Sequence, residues 1–380
     1  MQGREASDMP VNNPVPWDAD PHTKAKHALY TRYLAKWMPI MVKGWQANIT
    51  YAEGFAGPGV YLDGSPGSPV IAMRALVGDP SIRTKVKNGG IRFVFVDQDQ
   101  RCIDMLPGEL AKAVHPVRLD ELPCHGIHVA VEKGDCEPTL EQVLSREKAW
   151  NRPILAVLDT WGGAVTFDLV RRIASNANSE VIITMQPQYF SRFAGVGDLD
   201  HGDKVFGGGD WRKVVDQPSD AKARWLLERY RQTIQSAGFP YVLDFELIDS
   251  RGQSLFLIFG TTHPKGLSKM KEAMWEVDEV TGVGYRDPRD PRQETLAIEL
   301  EPHTAPLKRL ILDHLKTRPD RRCAVYELRR FTLYNTVFKE SQAAAVVREL
   351  VAGGQVERAD GVASDAGLTF HHVVGLPDGG

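Results

Sequence analysis

Apolar residues recur along this chain in two alternating rhythms. Between 22 and 43 they fall at helical spacing, with Leu29, Tyr33, Trp37 and Ile40 on one stripe, which predicts an amphipathic helix ahead of the first strand. Residues 48–53 form a short apolar run that enters the turn GFAGPG, and 68–77 return to a helical pattern. The unit then repeats. The runs 91–96, 128–132, 154–158 and 181–185 are short and continuously apolar, and helical patterns at 100–113, 137–148 and 165–176 separate them. Such runs, without alternation, are strands buried on both faces, so a parallel sheet covered by helices is expected.

A helix over 219–237 is followed by a different pattern. Residues 241–248, the turn DSRGQ and 254–261 predict a hairpin. A Rossmann-like sheet that is mostly parallel and closes with an antiparallel last strand is the layout of class I methyltransferases, and this is the expected α/β fold of residues 21–285. Residues 286–302, with RDPRDPRQ at their start, read as a charged linker punctuated by proline. Beyond them, helices at 304–316, 324–331 and 339–352 precede strands at 355–358 and 368–373 around a Gly/Asp-rich tip. Three helices and a two-stranded wing predict a winged helix-turn-helix domain over 303–375.

The first 20 residues are polar and rich in Pro and Asn, with no apolar signal-peptide core, and are expected to be a disordered tail. Four scattered cysteines do not make a disulfide framework, so a reducing, cytoplasmic setting is expected. No apolar run approaches the roughly 20 residues that span a bilayer. Cys124, His125, His128 and Cys136 share a short window, but no CxxC pair anchors them, and buried thiols with surface histidines are favoured over zinc. The formal net charge of -3 offers nucleic acid no global attraction. From His303 onward eleven basic residues against nine acidic ones leave about +2, a weak footprint to which Arg329, Arg330, Lys339 and Arg348 contribute. Contact of this domain with nucleic acid and contact with protein both stand.

Candidate chemistry gathers at the carboxyl ends of the strands, where open α/β sheets bind ligands. The first strand ends in Glu53-Gly54-Phe55-Ala56-Gly57-Pro58-Gly59. Its glycines allow a sharp turn and a close backbone approach, and the pattern is neither a phosphate-cradling P-loop nor a dinucleotide fingerprint. An acid here suits a ligand ammonium, so Glu53, Gly54, Phe55, Gly57 and Gly59 are the expected contacts to S-adenosylmethionine. Asp97, with Gln98 beside it, stands where ribose hydroxyls would lie, and Asp135 stands where the adenine amino group would lie. Asp159 closes the fourth strand beside the transferred methyl, and Trp161 follows it as a surface for a flat substrate or as core packing. Arg192 is placed to meet a phosphate or a surface carboxylate. Lys26 could reach the pocket, though a solvated helix face is the favoured reading for Lys24, Lys26 and His27. His263 is expected to shape the turn after the last strand rather than to act as a base.

The runs HTKAKHALYTRYLAKWMPIM and ITYAEGFAGPGVYLDGSPGSPVIAM, together with FGGGDW and LFLIFGTTHPKGLSKM, resemble the three-Cys-motif partner family (TcmP). The similarity runs from about His22 into the C-terminal domain. It implies a methyltransferase-like fold and association with a second protein that bears a radical-SAM-like three-cysteine motif. Family members carry a DPFG-like motif after the fourth strand, reminiscent of the DPPY motif of amino-methyltransferases. This chain has Asp159-Thr160-Trp161-Gly162-Gly163, which keeps the acid and the aromatic and loses the proline. Three functions follow as expectations. One is methyl transfer to nucleic acid or a nucleotide-like substrate. Another is a non-catalytic adaptor for the iron-sulfur partner. The third is a DNA-binding regulator that senses a nucleotide-like ligand.

Overall fold

The computed structural model describes residues 14–45, 48–79, 86, 90–160, 163, 165–195, 199–249, 251–286, 302–359 and 371–377. Residues 287–301 of the expected linker, residues 360–370 of the expected wing including the start of its second strand, Trp161 and residues 1–13 lie outside them. The chain divides into two compact units, Met1–Gly266 with Gly284–Glu294, and Leu267–Val283 with Thr295–Gly380. Residues 267–283, grouped by pattern with the first domain, therefore belong to the second unit.

The first unit is built on an eight-stranded, mostly parallel sheet with flanking helices, a Rossmann-like arrangement. The strands are β1 (Thr50–Glu53), β2 (Ile91–Asp97), β3 (Ile127–Lys133), β4 (Ile154–Leu158), β5 (Glu180–Met185), β6 (Tyr241–Ile248), β7 (Ser254–Thr261) and β8 (Gly284–Arg286). Their order across the sheet is β3-β2-β1-β4-β5-β7-β6-β8. β1 pairs in parallel with both β2 and β4, which sets Glu53 opposite Phe95 on one side and Val157 on the other. β7 runs antiparallel to β5 and to β6. The edge strand β8 pairs in parallel with β6. It was not expected from the pattern, because three residues are too few to show a period.

Strands β1, β4 and β5 are buried along their whole length, because helices cover both sheet faces. The helices are α1 (Pro21–Gly44), α2 (Ser68–Val77), α3 (Gln100–Val114), α4 (Cys136–Arg146), α5 (Phe167–Ala174), α6 (Pro187–Phe193), α7 (Leu199–Phe206) and α8 (Lys222–Ser236). α1 starts on a proline, whose fixed φ suits the first helical turn. Its buried stripe holds Leu29, Tyr30, Tyr33, Trp37 and Met41. The Trp211 that ends FGGGDW is buried, and a Cβ at Gly202, four residues before the motif, would lie 2.1 Å from its ring. The segment 14–20, expected to be tail, is docked through its Trp17 carbonyl, which accepts from the Leu62 N–H at 3.0 Å.

The second unit contains α9 (Pro264–Val277), which begins three residues before it, then α10 (Ala305–Thr317), α11 (Val325–Asn335) and α12 (Glu340–Ala352). A three-stranded antiparallel sheet joins them, in the order β10 (Glu357–Arg358), β11 (Val373–Gly375), β9 (Arg322–Ala324). Its core includes Leu307, Ile311, Leu328, Val346, Leu350 and Val374. The pattern predicted two strands; β9 is a third, too short to announce itself.

Lys271 organises the turn between α11 and α12. It is 1% exposed, and its ammonium donates to the backbone carbonyls of Thr332, Leu333, Thr336 and Phe338 at 2.5–3.2 Å. The last carbonyls of a helix have no intrahelical partner, and a cation there is favoured by the helix dipole. Lys271→Met should leave these carbonyls buried without a donor and cost about 2–4 kcal/mol. Urea unfolding with hydrogen exchange over 325–338 checks this, and unchanged protection there would refute the role of Lys271.

Candidate functional site

The order of the sheet reverses at β1, which has β2 on one side and β4 on the other. Carboxyl ends at such a reversal leave a crevice. Glu53 closes β1 and Asp159 follows β4 at this point, so two acids from distant parts of the chain meet there. Residues two apart on a strand share a face, and Tyr51 accordingly donates its hydroxyl to Glu53 Oε1 at 2.7 Å. Ser68, at the start of α2, donates to Oε2 at 2.6 Å. Glu53 is fully buried, and burial pushes its carboxyl up to about 8 against the two hydrogen bonds.

That burial corrects the direct role expected of Glu53. Its oxygens already accept from Tyr51 and Ser68, it is shielded from solvent, and burial favours its protonated form. What it does is tie α2 to the tip of β1.

Lys26 overturns a second expectation. It is not on a solvated helix face: it is 8% exposed and donates to Asp159 Oδ2 in a part-buried ion pair. Lys24, one residue pair earlier, is the solvated lysine and meets Asp63 at 2.7 Å. His27 is buried too, its ring 5.3 Å from that of Tyr61 and 6.0 Å from that of Tyr30. Burial, with Lys26 adding to it, pulls His27 down to about 3, so the imidazole is neutral.

Tyr30 stands one helical turn beyond Lys26. Its hydroxyl is buried and has no hydrogen-bond partner among the described residues. Burial first, then the charges of Asp159 and Glu53, hold it well above the usual tyrosine range. Lys26, Leu29, Tyr30 and Tyr33 are spaced 3, 4 and 7 apart, so Lys26 sits within the apolar stripe of α1. That spacing was the available signal, and reading the lysine as an ordinary snorkelling side chain hid it. Tyr51, Ser68 and Tyr61 carried no comparable signal.

The glycine turn is bound to the tip of β2. The Gly57 N–H donates to Asp97 Oδ2 and the Asp99 N–H to Oδ1, both at 2.8 Å. Burial raises the Asp97 carboxyl from its ordinary range, opposed by these N–H groups. Gly57 and Gly59 have φ of +64° and +80°, a region costly to residues with a Cβ. A Cβ at Gly54 would lie 2.3 Å from Cys136 Sγ, so this glycine admits the start of α4. Phe55 packs against the core. The ring of Trp17 lies over Gly57, 3.6 Å from where a Cβ would be. Gln98 is exposed. Asp135 is also exposed, at the N-terminus of α4, and makes no capping bond.

The remaining candidates are dispersed. Arg192 is exposed in the last turn of α6. Arg329 meets Glu340 at 3.4 Å, the Arg330 guanidinium lies 5.8 Å from the Tyr334 ring centre, and Lys339 lies 5.6 Å from that of Trp275. Arg348 is exposed and donates to the Ala344 carbonyl at 3.2 Å. His263 accepts from the Lys265 N–H through Nδ1 at 3.1 Å, which shapes the turn as expected. Among the described residues no His, Cys, Asp and Glu group could hold a metal ion, and no helix is long and apolar enough to cross a membrane.

No family model and no curated protein matches the sequence. Among solved structures the chain is similar to protein LPL1258 from Legionella pneumophila str. Philadelphia 1, of the DUF519 family model. The TM-score is 0.38 at 12% identity, over 69% of this chain and 91% of that one. At that score the likeness carries no argument about function.

The buried acids make stability depend on pH. Glu53 is raised to about 8 and Glu180 to about 7, both chiefly by burial. The folded state therefore holds these protons more tightly than the unfolded chain does. The stabilisation is complete below the unfolded carboxylate range and is lost as pH rises through about 7 to 8, with a slope of at most about 1.4 kcal/mol per pH unit per group. Glu53→Gln should flatten part of this loss. Urea midpoints at pH 5 and pH 9 test it, and an unaltered pH slope would show that Glu53 does not carry the effect.

Proposed function

We propose that the first unit is an S-adenosylmethionine-dependent methyltransferase of class I type, acting on nucleic acid or a nucleotide-like substrate, and that the second is a winged helix. The observation that carries the reading is the union of the glycine turn with Asp97 at the order reversal, with acids on the neighbouring tips. The residues fit the cofactor. Asp97 keeps lone pairs beyond its two N–H bonds and suits two ribose hydroxyls. Asp135 is exposed without a capping bond, and Gln98 is exposed beside Asp97. Gly57 and Gly59 supply a backbone that a ligand can approach.

The cofactor supplies a methyl group on a sulfonium, displaced in line by the acceptor atom. The residues of this chain do the positioning, which accounts for a large share of such a rate. Asp159, held by Lys26, orients the acceptor, and Trp161, two residues on in the sequence, is the candidate aromatic for stacking on a flat base. Glu53 anchors the start of α2 and the glycine turn beside it. Arg192 and the basic residues Arg329, Arg330, Lys339 and Arg348 are the proposed contacts to a phosphate backbone.

A second reading has its own support. Trp17 covers Gly57, and Glu53 is committed to Tyr51 and Ser68. A closed cradle suits an adaptor for a radical-SAM-like three-Cys-motif protein, with the winged helix as the docking surface. Co-purification of a cysteine-rich iron-sulfur partner with no cofactor binding would favour it.

Calorimetric titration with S-adenosylmethionine and S-adenosylhomocysteine tests the first reading. Micromolar binding is expected, lost in Gly57→Trp and weakened about 5–10-fold in Asp135→Ala, the size of one lost hydrogen bond. Asp159→Asn should bind the cofactor nearly as well while transfer falls at least 100-fold. A folded protein that ignores both ligands at millimolar concentration would sink the enzyme reading.

A further inference from the structure

We propose that one face of α11 in the second unit, with Tyr326, Arg330 and Tyr334 along it, binds a single strand of nucleic acid, stacking bases on the tyrosines and holding phosphate at the arginine. This rests on the nucleic-acid reading of the second unit above and moves the main contact away from α12. It does not depend on methyl transfer.

The charge of the second unit is divided. From 305 to 338 eight basic residues stand against three acidic ones, and from 339 to the end three stand against six. A near-neutral total thus hides a basic half, which holds α10, β9 and α11, and an acidic half, which holds α12 and the strands after it. The three acids of the basic half are engaged by its own groups. Asp313 meets Lys316 at 2.9 Å, Glu327 meets Arg318 at 3.1 Å, and Asp320 accepts from the Arg322 N–H at 3.2 Å. Lys308 and Arg329 meet Glu349 and Glu340 of the other half. Arg309, Arg321, Arg322 and Arg330 are exposed and make no ion pair among the described residues. A polyanion is therefore drawn to this half. In the winged-helix reading α12 is the helix that would enter a major groove. Its exposed positions are Ser341, Arg348, Glu349 and Ala352, and one arginine on an acidic helix is a poor reader of a duplex.

α11 supplies the shape. Residues four apart lie one above another on a helix, so Tyr326, Arg330 and Tyr334 form one ridge. The two tyrosines are 44% and 38% exposed, and the Arg330 guanidinium lies 5.8 Å from the Tyr334 ring centre. Two rings with a cation between them match a chain that alternates flat rings and negative charges. Bases of any identity stack on an aromatic face, and a guanidinium takes phosphate through paired N–H groups. Bases inside a duplex have both faces covered by their neighbours, so the strand must be single. Neither contact reads the 2′ position, so ribose and deoxyribose strands are equivalent here.

Fluorescence anisotropy of the full chain, without cofactor, tests this with labelled dodecamers of deoxyadenylate and of adenylate and with a DNA duplex of the same length. The two single strands are expected to bind alike, and about 5-fold or more tighter than the duplex. Tyr326→Ala and Tyr334→Ala should each weaken them about 5–100-fold, the worth of one stacked base. Tyr334→Phe, which keeps the ring, should recover most of that affinity. Arg330→Gln should lower the slope of log K against log salt by about 0.7 in magnitude. Equal or tighter duplex binding, or affinity that survives both alanine variants and is lost in Arg348→Gln, would overturn the α11 site and leave nucleic-acid contact by the unit standing. Displacement of the strand by polyglutamate as readily as by unlabelled deoxyadenylate would mark a surface for acidic protein and overturn it too. Binding of no strand at low salt by the folded chain would overturn both.

Discussion

The part-buried ion pair of Lys26 and Asp159 joins the first helix to the tip of the fourth strand at the order reversal of the sheet. α1 precedes the whole sheet in sequence, so nothing local obliges it to lie over the order reversal. Its apolar stripe takes it to the sheet, and the ion pair ties it to the residue after β4. With Lys26 on Asp159, Tyr30 falls beside Glu53, His27 falls against Tyr61, and Tyr33 reaches Glu180. The pair thus lies among several of the buried titratable groups of the first unit.

Burying that many polar groups is costly, and the structure offsets the cost in different ways. Glu53 and Glu180 are each met by two hydroxyl donors, Tyr51 and Ser68 for one, Tyr33 and Thr261 for the other. Lys26 is met by a charge, and Lys271 in the second unit by four carbonyls. His27 avoids the cost by staying neutral. The Tyr30 and Tyr230 hydroxyls and the Thr50 Oγ1 are buried with no hydrogen-bond partner among the described residues, so the compensation is not complete. The same logic separates the two lysines by function. Lys271 satisfies backbone that no other donor reaches, so its role is architectural. Lys26 meets a single side-chain carboxylate instead.

Much of the sheet was legible because its strands are buried on both faces. Continuous apolar runs such as ILAVL and VIITM have one plausible fate between helical segments, and observed β4 coincides with the expected 154–158. The hairpin at 241–248 and 254–261 and helix α2 also fall where the pattern placed them. Strands β8 and β9 escaped notice because three residues show no rhythm. Trp17 was lost in a polar segment whose composition gives no sign that one aromatic docks on a glycine turn.

The sequence by itself determined the succession of elements, the glycine turn and the acids that close successive strands. These are local properties, written in periodicity and in the backbone needs of single residues. Only the tertiary structure decided what each acid faces. Glu53 and Asp159 look alike in sequence, each ending an apolar strand, yet one is a buried, hydrogen-bonded acid and the other the partner of a lysine 133 residues away. Charge state and accessibility depend on neighbours brought together by packing, and the distance along the chain between those neighbours carries no trace of it.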